Sequence, residues 1–171
     1  IGFFVAIGSL ATWLSQMNKS RNCEITMEEF RITGSSMSGI VEHGDVVEAQ
    51  MGFYNCNEIK RGDVVVYQYS DNKDSIVKMI KAIPGDTWGF EQVGEDTNLI
   101  VNKDIVKNTE NQPYKITETG VGMLSNYLDQ YKGEIPSSAY LILGNRVSGS
   151  FDSTRFGLVS RNDILGKVIL K

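Results

Sequence analysis

Histidine is nearly missing from this chain: among 171 residues there is one, His43, set in a polar Glu-His-Gly-Asp turn. A serine-histidine triad would have to use that residue. A zinc site would have to combine it with Cys23, Cys56 and carboxylates, without the close Cys and His spacing such sites show, so no metal is expected. Cysteine is scarce too. Two thiols do not define a disulfide framework, and Cys23 and Cys56 either pair outside the cytosol or stay as two small, buried or idle thiols. Basic charge is not in excess, with 17 Lys and Arg against 21 Asp and Glu. No stretch interleaves basic residues with aromatics, which argues against nucleic acid as a partner. Repeats and low-complexity tails are lacking, and no apolar run reaches the roughly 20 residues of a bilayer span.

What is present suits one domain with a real core, since domains commonly run about 100 to 200 residues. The chain opens without methionine on "IGFFVAIGSLATWLSQ", which reads as the second half of a span belonging to a longer protein, with Trp13 as an interfacial anchor. Lys19 and Arg21 follow it, and by the positive-inside rule they would turn the rest of the chain inward unless stronger basic residues precede Ile1. The plainer alternative is an amphipathic or core helix. From residue 25 onward, short strands alternate with Gly, Asp, Asn and Pro turns, the pattern of a mainly-β domain. Strands are expected at 28–33, 45–50, 62–70, 75–83, 99–102, 139–144 and 166–171. Met123, Leu124, Tyr127, Leu128 and Tyr131 fall at helical spacing before Gly133, so one short helix is expected over 120–133.

The chemistry has to come from serine and lysine. A hydroxyl is a weak nucleophile until a base removes its proton, and with histidine so rare the candidate bases are carboxylates and lysines. A lysine serves only where burial disfavours its ammonium form. In "SIVKMIKAI" (75–83), strand alternation puts Lys78 on the face of Ile76 and Ile80, while Val77 and Met79 make the other face apolar. Lys81 falls nearer the strand's end, and Lys73 lies in a polar turn. Unless Lys78 snorkels to solvent from a strand edge, it is a buried amine. The turn "GSSM" (34–37) supplies a hydroxyl between glycines, where backbone N–H groups can face an oxyanion.

Taken together, "GSSM" at 34–37, "GD" at 44–45, "RGDVVVY" at 61–67, "VKMIKAIPGD" at 77–86 and "GNRVSGSFDSTRFG" at 144–157 resemble, in order and spacing, the boxes of bacterial type I signal peptidases, the serine-lysine S26 family. The resemblance covers roughly 25–170. It implies a mainly-β, signal-peptidase-like barrel or sandwich of antiparallel sheets with a short helix and an N-terminal helix. The implied organisation is an anchor helix over 1–22, a catalytic core formed by 23–87 and 139–171, and a smaller inserted region over 88–138.

It also implies roles. Ser36 is the nucleophile and Lys78 the general base; the N–H groups of Gly34 and Ser36 form the oxyanion hole. Ser150 orients the lysine amine, and Asp152 is the acid of a structural ion pair, with Arg155 the nearest arginine. Phe30, Ile32, Met37, Ile76 and Val77 are placed to line small apolar substrate pockets, unless they are ordinary core. The implied substrates are signal peptides of exported precursors, cut after a small-x-small motif at the bacterial cytoplasmic membrane by a single-pass protein whose catalytic domain faces outward. No cofactor is implied. The chain departs from the family where Ser38, Gly39 and Ile40 follow Met37 instead of a proline turn, where Met79 replaces arginine, where "GDNR" has become "GNRV", and where Thr154 replaces arginine. Those departures motivate a second reading, a weak or inactive relative that assists pilus or surface-protein assembly. A self-cleaving repressor-type peptidase shares the same pair, but the Ala-Gly and Cys-Gly bonds it would cut are absent.

Overall fold

Val64, Val65, Val66 and Tyr67 are all buried in one strand, a run that only a sheet covered on both faces can accommodate. A computed structural model describes residues 23–69 and 74–170; the helix expected over 1–22, and Lys73, lie outside them. The strands are β1 (Thr26–Arg31), β2 (Val46–Met51), β3 (Val64–Tyr69), β4 (Asp74–Ala82), β5 (Trp88–Val93), β6 (Asp96–Val101), β7 (Asp104–Ile105), β8 (Ala139–Leu143), β9 (Val159–Ser160) and β10 (Ile164–Ile169). Seven of them form one sheet in the order β1-β2-β10-β3-β4-β8-β9, and β5-β6-β7 form a second. Neighbours are antiparallel throughout, so the protein is mainly β, as the residue pattern implied.

Period-2 alternation sorts the side chains of the large sheet. Val64, Val66, Val77 and Met79 join Ile32 and Met37 in one apolar cluster, while Val65, Tyr67, Ile76 and Ile80 join Tyr140 and Ile142 in another. β4 is thus apolar on both faces around Lys78. A third cluster ties the sheets together, with Ala82, Leu141 and Leu143 packing on Trp88, Leu99, Tyr114 and Leu124.

Leu124 lies on α1 (Glu118–Tyr131), whose first turn is capped by Thr117, its hydroxyl accepting from the Gly120 N–H. Lys132 and Gly133 take left-handed backbone angles and end the helix. Met123, expected on the apolar stripe, is exposed. A second helix, α2 (Ser153–Phe156), is a single turn. Among the described residues no helix is long and apolar enough to cross a membrane, and no group of three or more His, Cys, Asp or Glu is arranged to hold a metal ion.

Two cross-links fix the frame of the site. Cys23 and Cys56 form a disulfide, which tethers the start of β1 to the turn after β2. Arg61 pairs with Asp86, donating from Nε at 2.7 Å and also from Nη2. Asp86 further accepts from the Ile83 N–H and from Asn102, so the turns before β3 and after β4 are held together at that end of the hairpin.

Candidate active site

The chain between β1 and β2 leaves the sheet and returns at one point, where the Ile32 N–H donates to the Asp45 carbonyl at 2.8 Å and the Gly44 N–H to the Ile32 carbonyl at 2.9 Å. Within this closed loop the Met37 carbonyl accepts from the N–H groups of Ile40 and Val41, making one helical turn after Ser36. Met37 is 2% exposed and anchors that turn in the core. The neighbouring Ser36 is left half-buried, with its hydroxyl facing β4.

Lys78 meets it. Its Nζ lies 2.9 Å from Ser36 Oγ and 2.9 Å from the Val77 carbonyl, and the residue is 4% exposed. Burial pulls the amine down from 10.5 to about 8, with the Asp152 carboxylate pulling weakly the other way. Roughly one amine in ten is then neutral at pH 7, and its lone pair can accept the hydroxyl proton across the same contact.

The last box contributes backbone as much as side chains. The Arg146 N–H donates to the Ser36 carbonyl at 3.0 Å, and Arg146 Nη1 donates to Ser35 Oγ at 2.8 Å. Asn145, 1% exposed, donates from Nδ2 to the Ser38 carbonyl at 2.8 Å. The residue pattern gave these two no role, although Asn145, one residue beyond the buried run Tyr140–Leu143, was a usable signal: a polar side chain buried at that point needs partners inside the fold.

Three of the expected residues make contacts other than those the resemblance implied. Ser150 reaches the site, but its buried Oγ makes no hydrogen bond among the described residues; Lys78 is oriented instead by Ser36 and the Val77 carbonyl. Asp152 forms no ion pair there, and Arg155 is exposed. The carboxylate accepts from the Gly144 N–H at 2.9 Å, the Thr154 N–H at 3.1 Å and Thr154 Oγ1 at 2.8 Å, so Thr154 satisfies it where an arginine was expected and Asp152 caps α2. The Gly34 N–H, expected to face an oxyanion, donates to His43 Nδ1 at 3.0 Å. His43 therefore holds the loop, and the basic group in contact with Ser36 is Lys78.

Phe30, Ile32, Met37, Ile76 and Val77 line one groove that ends at Ser36 and Lys78, together with Arg31, Thr33 and Ser75. Ile32 and Met37 also belong to the buried core, so each has both roles. The groove has open backbone on two sides. Among the described residues β1 is the end strand of the sheet, and β4 from Ser75 to Lys78 pairs only with β3, because β8 begins pairing at Met79.

The family described as signal peptidase, peptidase S26, matches residues 22–171. This chain belongs to that family. It is 28% identical over 140 residues to signal peptidase I of Bacillus caldolyticus, covering 80% of this chain and 74% of that protein. To signal peptidase IB of Staphylococcus aureus (strain COL) it is 28% identical over 145 residues, covering 81% and 74%. A crystal structure of a signal peptidase I from Enterococcus faecalis V583 aligns with a TM-score of 0.45 at 19% identity, covering 65% of this chain and 97% of the other. Membership makes the protein a serine-protease hydrolase of the signal peptidase kind, acting on precursors of exported proteins.

Proposed function

We propose that this signal peptidase works by a Ser36–Lys78 dyad at the outer face of a membrane. The reading is carried by one observation, the 2.9 Å contact between a buried lysine amine and the Ser36 hydroxyl. The neutral amine takes the hydroxyl proton as Oγ bonds to the scissile carbonyl carbon. The resulting oxyanion is held by the N–H groups of Ser36 and Gly34, for which Gly34 must exchange His43 for the substrate. Collapse breaks the C–N bond, the lysine returns its proton to the leaving amine, and water activated by the same amine hydrolyses the acyl-enzyme, freeing Ser36.

A precursor would lie extended in the groove, its backbone pairing with the open edges of β1 and β4 and its small side chains entering between Ile32, Met37 and Ile76. Two features support the outward-facing membrane location: the apolar opening of the chain, and the Cys23–Cys56 disulfide, a bond suited to an oxidising compartment.

The test is cleavage of one precursor with alanine at both small positions by Ser36→Ala, Lys78→Ala and unaltered protein. Each variant is expected to fold and to lose roughly 10³-fold or more in turnover. The unaltered enzyme should speed up with pH through about 8, because the amine acts only when neutral. Full turnover by Lys78→Ala would sink the dyad.

A further inference from the structure

The turn Asn108–Gln112, between β7 and α1, is far from the nucleophile in sequence yet is hydrogen-bonded to the residues that hold it. The Thr109 N–H donates to Asn145 Oδ1 at 3.1 Å, Asn145 Nδ2 donates to Thr109 Oγ1 at 2.8 Å, and Asn108 Nδ2 donates to the Asn145 carbonyl at 3.0 Å. The other contact of Asn145 Nδ2 is the Ser38 carbonyl at 2.8 Å. Next along the chain, the Arg146 N–H holds the Ser36 carbonyl. Two successive residues thus grip the two carbonyls on either side of Met37. Contact is close from the other side as well: a Cβ on Gly39 would come within 3.0 Å of Asn145 Nδ2 and 3.2 Å of Glu110 Oε1.

We propose that Thr109 is a positioning residue for Ser36, setting the amide of Asn145 so that the Ser36–Ser38 turn stays in register with Lys78. The physical reason is saturation. Asn145 is buried, and both hydrogens of its amide are spent, one on Ser38 and one on Thr109. Removing the hydroxyl leaves one buried donor unpaired, and the amide can recover a partner only by turning away from Ser38. The turn carrying Ser36 is then freed relative to Lys78, which sits on a different strand. Small misplacements of reacting groups are costly, on the order of 10²-fold for about 1 Å. This inference rests on the Ser36–Lys78 dyad proposed above.

The test compares Thr109→Val and Thr109→Ser with unaltered protein and Ser36→Ala, on the same alanine-containing precursor. Thr109→Val keeps the shape and removes the hydroxyl at an exposed turn; it should lower kcat by roughly 3- to 30-fold with KM unchanged. Thr109→Ser keeps the hydroxyl and should restore kcat to within about twofold. A Thr109→Val enzyme with unaltered kcat overturns the brace, and so does an equal fall in Thr109→Ser, which would assign the effect to the methyl group. A loss confined to KM or to thermal stability overturns it as well. Cleavage by Ser36→Ala would instead remove the dyad on which the brace acts.

Discussion

Gly144 has no side chain because the site leaves no room for one. A Cβ there would lie 2.3 Å from Ser150 Oγ and 2.6 Å from the Ser36 carbonyl oxygen, and the second of these is backbone that cannot swing aside. Gly144→Ala should therefore push the nucleophile turn away from Lys78 and cut kcat by about 10²-fold; steady-state kinetics beside a thermal melt would separate this from unfolding. Local signals marked a glycine-bounded serine turn and a lysine inside an apolar strand, and the family resemblance singled out Ser36 and Lys78 within them. The partners of Gly34 and Thr109 were not legible, since each is chosen by tertiary contact, and Asp152 caps a helical turn through the nearby Thr154, a local signal that the family pattern hid. Met79 stands where the family resemblance led to arginine; its burial opposite Leu143 agrees with the strand alternation, while the identity of its neighbour does not follow from it.

β4 as an element carries the energetic cost of the site. Between about 8 and 10.5 the unfolded chain binds the Lys78 proton more tightly than the folded one, so stability rises with pH across that window and is lost as pH falls through it. The contribution is about 3 kcal/mol at most. Lys81, also pushed down by burial, adds to the same slope. Above about 10 the buried phenols of Tyr54, Tyr67 and Tyr114, all pushed up by burial, reverse the trend. Lys78→Met should flatten the rise and unfold later than the unaltered protein at pH 8, as read by denaturant titrations at several pH values. The strands of the large sheet were legible from alternation in valine- and isoleucine-rich runs. Most of the small sheet was not: β5 ends in exposed Glu91, Gln92 and Val93, and its clearest signal was Gly94-Glu95, a two-residue turn with Gly94 at φ 62.

For the molecule as a whole, the disulfide closes a loop of sequence separation 33, which by chain-entropy reasoning stabilises the folded state by about 3–4 kcal/mol. Cys23→Ser with Cys56→Ser should lose about that much stability in a denaturant titration and melt earlier, and adding a reductant to unaltered protein should give the same downward shift in a thermal scan. The mainly-β class could be read from punctuation and composition, but the union of the two sheets through Trp88, Leu124 and Leu141 could not, because a shared core is a property of three-dimensional packing. The contacts that fix Ser36 come from β4 and from the segment after β8, with the Ser35–Arg146 bond spanning 111 positions. On a ribosome, an emerging chain would carry its nucleophile long before it carried the groups that aim it. Until residue 146 has been made, the Ser36 carbonyl lacks the N–H that holds it.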